Sequence, residues 1–573
     1  MDKRDYITIA IITLVFAFLV FYRIGSFAAP QSGYELTQEN RSLTLDFGET
    51  VSFNHISLFL GPRVFLFDIY RLDEASGEWE LLESDVLDRM QYQWWQTALY
   101  TELRYLRLEA KAIAAINEMV FVTNLGQTVV PANAGDYPGL FDEQGLYDRY
   151  LSNTYYSEAM FDETLIASSA YQFIHGLVTT HIAHPPLSKS LISLGIRLFG
   201  MTPFGWRFMS AIFGIMMIPL MYAFAKALFD SHLAATAATV LLAFDCMHFT
   251  HSRIATIDVF AAFFILLMYY LFFRYLQIDR EQATALPSEP PSETPPEPPS
   301  ETPPETPPRF PRSYIPLALC GLVMGLAVAT KWTGAFAGAG LGVMFLFYII
   351  KYRPPQLKRL IGFCLIFFVA MPALIYIISY RPVVLDPPAD GLLATVAANT
   401  AWIFTLHTTR SDAHDFTSFF YEWPFVGVPL RYTSDPLDFT FISSVNLMGN
   451  PAIWWVGLPC LIFCLYRAIA KKDGRAAFLV VAYLAQYLPW FFVGRLTFIY
   501  HYYPAALFMI LAIGYTLDTV AKARPWGRTA VYGYLAVAVA VFIIFYPVIS
   551  GSPATYLYQR GLEWLPEWEL VTN

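Results

Sequence analysis

Eleven apolar runs constrain this chain more than anything else in it. They lie near residues 6–22, 204–228, 232–249, 255–277, 313–332, 334–350, 360–380, 452–468, 476–494, 502–520 and 529–549. Each is about 17 residues or longer, the length a helix needs to cross the hydrocarbon core of a bilayer. Only 14% of the residues are charged, against about 25% in soluble domains. The expectation is a polytopic helical membrane protein. The first run follows Asp2-Lys3-Arg4-Asp5 and is long enough to stay as an anchor rather than be cleaved.

Loop charges orient these spans. Arg280, Arg309 and Arg312, then Lys351, Arg353, Lys358 and Arg359, then Lys471, Lys472 and Arg475, then Lys522, Arg524 and Arg528 form four basic clusters. Alternation from a cytoplasmic N-terminus puts all four on the cytoplasmic side, as the positive-inside rule requires. Residues 30–203, the loop 381–451 and the tail 550–573 then face outward. The divisions expected are a first transmembrane helix within 6–29, an outer domain 34–150, and a segment 151–280 with spans two to four. A linker 281–312 follows, then spans five to eleven over 313–549.

The net charge of −9 excludes a generally basic nucleic-acid binder, and it is unevenly spread. Residues 34–150 hold 8 basic and 19 acidic side chains, while 281–308 hold six Glu and no Lys or Arg, which leaves the remainder at +8. Pro287–Pro308 is a Pro- and Glu-rich repeat that cannot bury a core, so a passive linker is expected. Residues 34–150 alternate as strands do, in Leu43-Thr44-Leu45-Asp46-Phe47 and Arg104-Tyr105-Leu106-Arg107-Leu108. Turn signals stand at Phe47-Gly48-Glu49 and Ser76-Gly77-Glu78. The strand order resembles discoidin-like or galactose-binding-like β-sandwiches, with Trp79, Trp94 and Trp95 as glycan-stacking surfaces or as core. The five cysteines, Cys246, Cys320, Cys364, Cys460 and Cys464, lie in or beside apolar runs, with no spacing that suggests a disulfide framework or zinc.

Polar motifs gather on the outer face, where charges at span ends call for a functional reading. In order they are FDE from Phe161, HPPLSK from His184, FDCMHFTHSRIATID from Phe244, GLAVATKWTG from Gly325, HDFTSFFYEWP from His414, MGNPAIWW from Met448 and TFIYHYYP from Thr497. As an ordered set these strings resemble the protein O-mannosyltransferases, glycosyltransferase family 39 of the GT-C superfamily. The resemblance implies a GT-C fold of about eleven spans with an inserted outer β-domain. It implies transfer of mannose from a polyprenyl-phosphate donor to Ser or Thr hydroxyls of proteins, with inversion, in a bacterial plasma membrane. Two departures point to a prokaryotic type: the loop 381–451 is too short for the β-trefoil domain of eukaryotic members, and Ile182 stands where they often carry an acid.

By this resemblance Asp162 is the base that takes the acceptor proton, and Glu163 orients the acceptor or holds the sugar. An Asp-Glu pair is also what a helix N-terminus favours. The leaving phosphate needs cations, for which Arg253, Lys331, Lys189 and Arg495 are the candidates, although cations at span ends also snorkel to headgroups. His184 and His414 are donor or acceptor contacts, Ser418 is a substrate contact, and Asp258 either pairs with Arg253 or binds a sugar hydroxyl. Trp423 stacks on the sugar or anchors at the interface. No metal or other cofactor is expected to be required; a divalent cation would have Asp162, Glu163 and His414 as ligands. Two other readings stay open: a GT-C enzyme moving another sugar to a lipid or glycan, and a transporter or glycan sensor. The oligomeric state is not readable.

Overall fold

The computed structural model describes residues 1–37, 39–62, 65–88, 91–111, 114–147, 154–285, 312–354, 356–409 and 414–572. Most of the proline-rich linker, with Arg309, lies outside these residues.

The chain opens with α1 (Lys3–Phe21) and then builds seven strands: β1 (Tyr34–Leu36), β2 (Ser42–Leu60), β3 (Phe65–Asp73), β4 (Glu78–Asp88), β5 (Trp94–Ala110), β6 (Ala114–Thr123) and β7 (Thr128–Val129). Short α2 (Thr154–Ser157) leads to α3 (Glu163–His175), α4 (Leu187–Phe199), α5 (Pro203–Phe229), α6 (His232–Ala243), α7 (Cys246–His251) and α8 (Asp258–Ala285). Next come α9 (Tyr314–Thr330), α10 (Thr333–Tyr352), and α11 (Leu357–Leu365) joined through a π-turn to α12 (Met371–Ser379). Helix α13 (Leu392–Thr409) and the hairpin β8 (Leu430–Pro436)–β9 (Phe441–Leu447) precede α14 (Pro451–Ala470), α15 (Gly474–Tyr487), α16 (Tyr503–Ala523) and α17 (Gly527–Ser550). A two-residue β10 (Ala554–Thr555) pairs with β9, and α18 (Tyr556–Arg560) follows.

Among the described residues nine helices are long and apolar enough to cross a membrane. The other two expected spans appear as shorter apolar helices, α6 and α9. The expected span 232–249 breaks at Phe244-Asp245, because Asp245 accepts the His248 N–H and starts α7 as its N-cap. The 12-residue α6 is about 18 Å long. Helix starts follow signals visible in the sequence: Thr202 caps α5 with Pro203 behind it, Asn450 caps α14 with Pro451 behind it, and Asp473 caps α15. At the centre, α16 is buried at every position from Tyr503 to Tyr515, which is why that run shows no polar face.

The domain 34–150 is β, as expected, and its seven strands form one continuous antiparallel sheet, ordered β1-β6-β2-β5-β3-β4 with β7 on β6. Gly48 is not a turn between strands: it sits in a bulge inside β2, at φ +79°. Gly77, at φ +72°, does turn β3 into β4. Leu43, Leu45, Phe53, Ile56, Leu58, Leu106, Leu108 and Phe121 make the domain's own core. Phe59, Trp94, Val120 and Val122 instead join the core of the helical body. The middle of the sheet is thus covered on both faces, which accounts for the continuously buried run Ile56–Leu60, Ser57 included. Trp94 is buried and Trp95 meets Phe67 edge-on at 5.7 Å, so both serve as packing; Trp79 is half-buried under Arg107.

The segment 139–147 is tied to this sheet by Glu118, a fully buried carboxyl that accepts from the Glu143 N–H at 2.7 Å and from Gln144. Burial raises its pKa from 4.5 to about 7. A raised carboxyl favours the folded state below the unfolded pKa, and that contribution is lost as pH rises through the folded value. Thermal stability of the sheet domain should fall as pH rises from about 4.5 to about 7, and Glu118→Gln should flatten that slope. An unchanged slope in the variant, followed by sheet circular dichroism against pH, would refute it.

Candidate functional site

The site is built around the loop that precedes α3. Arg207, in the second turn of α5, is fully buried and spends all five donors on this loop and its neighbours. Its Nε and Nη2 grip Glu163 at 2.8 and 2.6 Å, and its remaining N–H groups reach the carbonyls of Ile24, Tyr155 and Glu158 at 2.7 to 2.9 Å. Glu163 also accepts the N–H groups of Ala255 at 2.8 Å and Met160 at 3.0 Å. With four bonds to its two oxygens and no exposure, Glu163 cannot hold a sugar or orient an acceptor by direct contact. It locks the loop, a correction to the expected contact role.

Asp162 is presented differently. Phe161 adopts φ +52°, an unfavourable conformation for a bulky residue, and its ring stacks on Tyr432 of β8 at 4.6 Å. The next residue, Asp162, is the N-cap of α3 but its side chain caps no backbone N–H. The carboxylate is half-buried and stands at the positive end of the helix dipole. Burial, then the charges of Asp258 and Asp162, push the Tyr432 hydroxyl well above its ordinary range, with Tyr500 and Glu163 adding to the effect. Both carboxylates thus act electrostatically on the Tyr432 hydroxyl.

Lys331 is the cation that meets Asp258. It ends α9 in an extended conformation, pairs with Asp258 at 2.7 Å and lies over the Tyr500 ring at 4.9 Å. Asp258 therefore pairs with Lys331 and not with Arg253. His184 stands nearby, in the loop before α4, with its ring 5.2 Å from that of His407. Burial first, and then the charge of Lys331 and the neighbouring histidines, hold its imidazole well below its usual pKa. It is a neutral donor–acceptor at ordinary pH. His407 reaches the Ala183 carbonyl at 3.1 Å and faces Trp332 edge-on at 6.3 Å. Beside Trp332 an open, largely apolar cavity of about 660 Å³ runs between α12 and α13, lined by Tyr376, Leu393, Val396, Thr400 and Phe404.

Other expected site residues lie elsewhere. The guanidinium of Arg253 donates to the carbonyls of Leu19, Val20, Tyr22, Arg23 and Ser550 and closes the ends of α1 and α17. Its donors face helix C-termini, not a phosphate. Lys189 is buried with Nζ on the His181 carbonyl, and burial lowers its pKa to about 7. Ser418 and Trp423 are both fully buried and bonded to each other at 3.0 Å, with Trp423 stacked on His501. A sugar cannot stack on that indole. Arg495 lies 3.4 Å from His501. His414 is exposed and meets Phe498 edge-on at 5.0 Å. The Asn450-Pro451 motif is an internal lock, since Asp245 accepts from the Asn450 N–H at 3.1 Å and from Trp454 Nε1 at 2.9 Å.

The sequence reading passed over Arg207, His407 and Tyr432. The signal for Arg207 was a charge near the start of the apolar run 204–228, whose one other charged residue, Lys226, lies near the opposite end; nothing local distinguishes the other two. Among the described residues no three His, Cys, Asp or Glu side chains are grouped to hold a metal ion.

Two families match this chain. Residues 183–286 match the family described as dolichyl-phosphate-mannose-protein mannosyltransferase, and residues 396–568 match the C-terminal four-transmembrane region of protein O-mannosyltransferase. A polyprenol-phosphate-mannose–protein mannosyltransferase of Mycolicibacterium smegmatis is 28% identical over 71% of this chain and 87% of its own length. The protein of that name from Mycobacterium tuberculosis is 27% identical over 71% and 86%. The solved structure of the Saccharomyces cerevisiae protein O-mannosyltransferase Pmt1–Pmt2 complex bound to the sugar donor superposes with a TM-score of 0.59. That alignment covers 74% of this chain and 91% of the yeast chain at 15% identity, a likeness of fold.

Proposed function

Because the chain belongs to the protein O-mannosyltransferase family, we propose that it transfers mannose from a polyprenyl-phosphate donor to Ser or Thr hydroxyls of proteins. The observation that carries the reading is the buried Lys331–Asp258 ion pair at 2.7 Å, with Asp258 and Asp162 both acting on the Tyr432 hydroxyl. In the reaction the acceptor hydroxyl oxygen forms a bond to the anomeric carbon from the face opposite the phosphate. The bond between that carbon and the phosphate oxygen breaks, its electron pair leaves with the lipid phosphate, and the hydroxyl proton passes to Asp162. Inversion follows from this in-line geometry.

Lys331 supplies the positive charge for the departing phosphate, held in place by Asp258. His184, kept neutral, donates or accepts a hydrogen bond with donor or acceptor. The apolar cavity beside Trp332 has the volume and lining to take the first isoprene units of the lipid. The same reading places the site on the outer face of a bacterial plasma membrane. It includes an eleven-crossing GT-C topology and an outer β-domain of galactose-binding-like kind.

The test is purified full-length protein with radiolabelled polyprenyl-phosphate-mannose and a Ser/Thr-rich peptide. Label in the peptide is expected; label only in lipid or glycan would overturn the reading. Lys331→Ala should lower turnover by about 10²-fold, and Lys331→Arg should recover part of it by keeping the pair with Asp258. Turnover unaffected by Lys331→Ala would remove Lys331 from the phosphate role.

A further inference from the structure

The sheet domain grips the catalytic loop. Three consecutive residues at the start of β5, Tyr92, Gln93 and Trp94, each bind the segment immediately before Asp162. The Tyr92 carbonyl accepts the Ala159 N–H at 3.0 Å, the Gln93 side chain donates to the Ala159 carbonyl, and the Trp94 N–H donates to Glu158 Oε2 at 2.9 Å. Tyr92 reaches this position at φ +61°, an outlier for an aromatic residue that persists only where the surroundings enforce it. Its ring is buried between Tyr171, at 5.9 Å, and Trp206, at 6.3 Å.

A second hold lies farther along. Gln172, on the helix that Asp162 caps, donates at 2.9 Å to the Pro62 carbonyl in the loop after β2. The sheet domain thus holds α3 near its far end and the loop before its start. On the opposite side the loop meets β8, through Phe161 on Tyr432 and through the influence of Asp435 on Glu158. Burial, reinforced by Asp435, pushes the Glu158 carboxyl well above its usual range.

We propose that the β-domain is a positioning element of the transferase, and that Gln93 and Glu158 are positioning residues that set the aim of the Asp162 carboxylate. This rests on the mannosyltransferase reading above. The residues matched by the two families, 183–286 and 396–568, lie outside the sheet domain. The physical logic is that a base on a loop is only as precise as its supports, and an error of about 1 Å in a catalytic group can cost about 10²-fold in rate.

The test uses the full-length protein in lipid nanodiscs. Gln93→Ala and Glu158→Ala should each lower kcat by about tenfold while KM for the lipid donor stays within about twofold. Glu158→Gln should restore most of the loss, because its amide oxygen still accepts the Trp94 N–H. Deuterium uptake by peptides covering 155–163 should rise in both alanine variants, while uptake across α16 stays unchanged. Wild-type kcat in both alanine variants, or a kcat loss in Glu158→Ala that Glu158→Gln does not relieve, would overturn the proposal. So would Trp79→Ala altering acceptor use while the alanine variants do not, since that places the domain's role in glycan contact. A wild-type protein that transfers no mannose refutes the functional reading instead, and the deuterium arm still reports whether the grip exists.

Discussion

Asp162→Asn is expected to reduce mannosyl transfer to peptide by about 10²- to 10⁴-fold, the range a positioned general base supplies. Asparagine keeps the size and the place of the side chain, so donor binding should persist and KM for the lipid should hardly move. The effect then falls on kcat and kcat/KM together, the signature of an interaction made only in the transition state. The prediction is specific because Glu163, the neighbouring acid, has no capacity to substitute: its oxygens already accept four hydrogen bonds and it has no exposure. Single-turnover transfer at the wild-type rate in Asp162→Asn would remove the assigned base.

Arg207→Ala should be the most destabilising substitution in the site. Removing one partner of a buried ion pair leaves an uncompensated charge and costs about 3–5 kcal/mol. Here the loss also strips donors from the carbonyls of Ile24, Tyr155 and Glu158, so the melting temperature in detergent should drop and transfer should be abolished. Arg207→Lys should not rescue activity, because one ammonium cannot meet a carboxylate and three carbonyls in a planar fork. The double variant Arg207→Met with Glu163→Leu should recover stability relative to Arg207→Ala, since neither charge is then stranded, yet stay inactive because the loop has lost its clamp. A stable and active Arg207→Lys protein would contradict this account.

The two predictions differ in how much of them was visible in the chain itself. Asp162 could be proposed as a base because FDE belongs to an ordered set of strings, and a resemblance of that kind suggests role with position. Glu163 was visible by the same string, but its task was not. Whether a carboxylate touches substrate or braces a loop depends on what meets it across space. The partner, Arg207, lies 44 residues further on. The same holds for the four expected phosphate cations. Arginine and lysine at span ends look alike in sequence, and only packing distinguishes Lys331, paired with Asp258 beside Tyr500, from Arg253, spent on helix C-termini, and Lys189, buried on a carbonyl.

Trp423 and Ser418 make a similar point. An aromatic in an outer loop has the chemistry of a sugar platform, and a buried indole bonded to a buried hydroxyl has the chemistry of a core; only enclosure chooses between them. By contrast the apolar runs, the helix starts at Thr202, Asn450 and Asp473, and the β character of the acidic sheet domain were all set locally. Hydropathy, capping chemistry and alternation act over a few residues, and they act before the fold closes. What the tertiary structure alone decided is which polar groups pair, as Lys331 does with Asp258, and that the start of β5 bonds the loop that carries Asp162. These are contacts between segments dozens to hundreds of residues apart. No local pattern encodes them, because their energy comes from desolvation and hydrogen-bond partners that exist only once the segments have met.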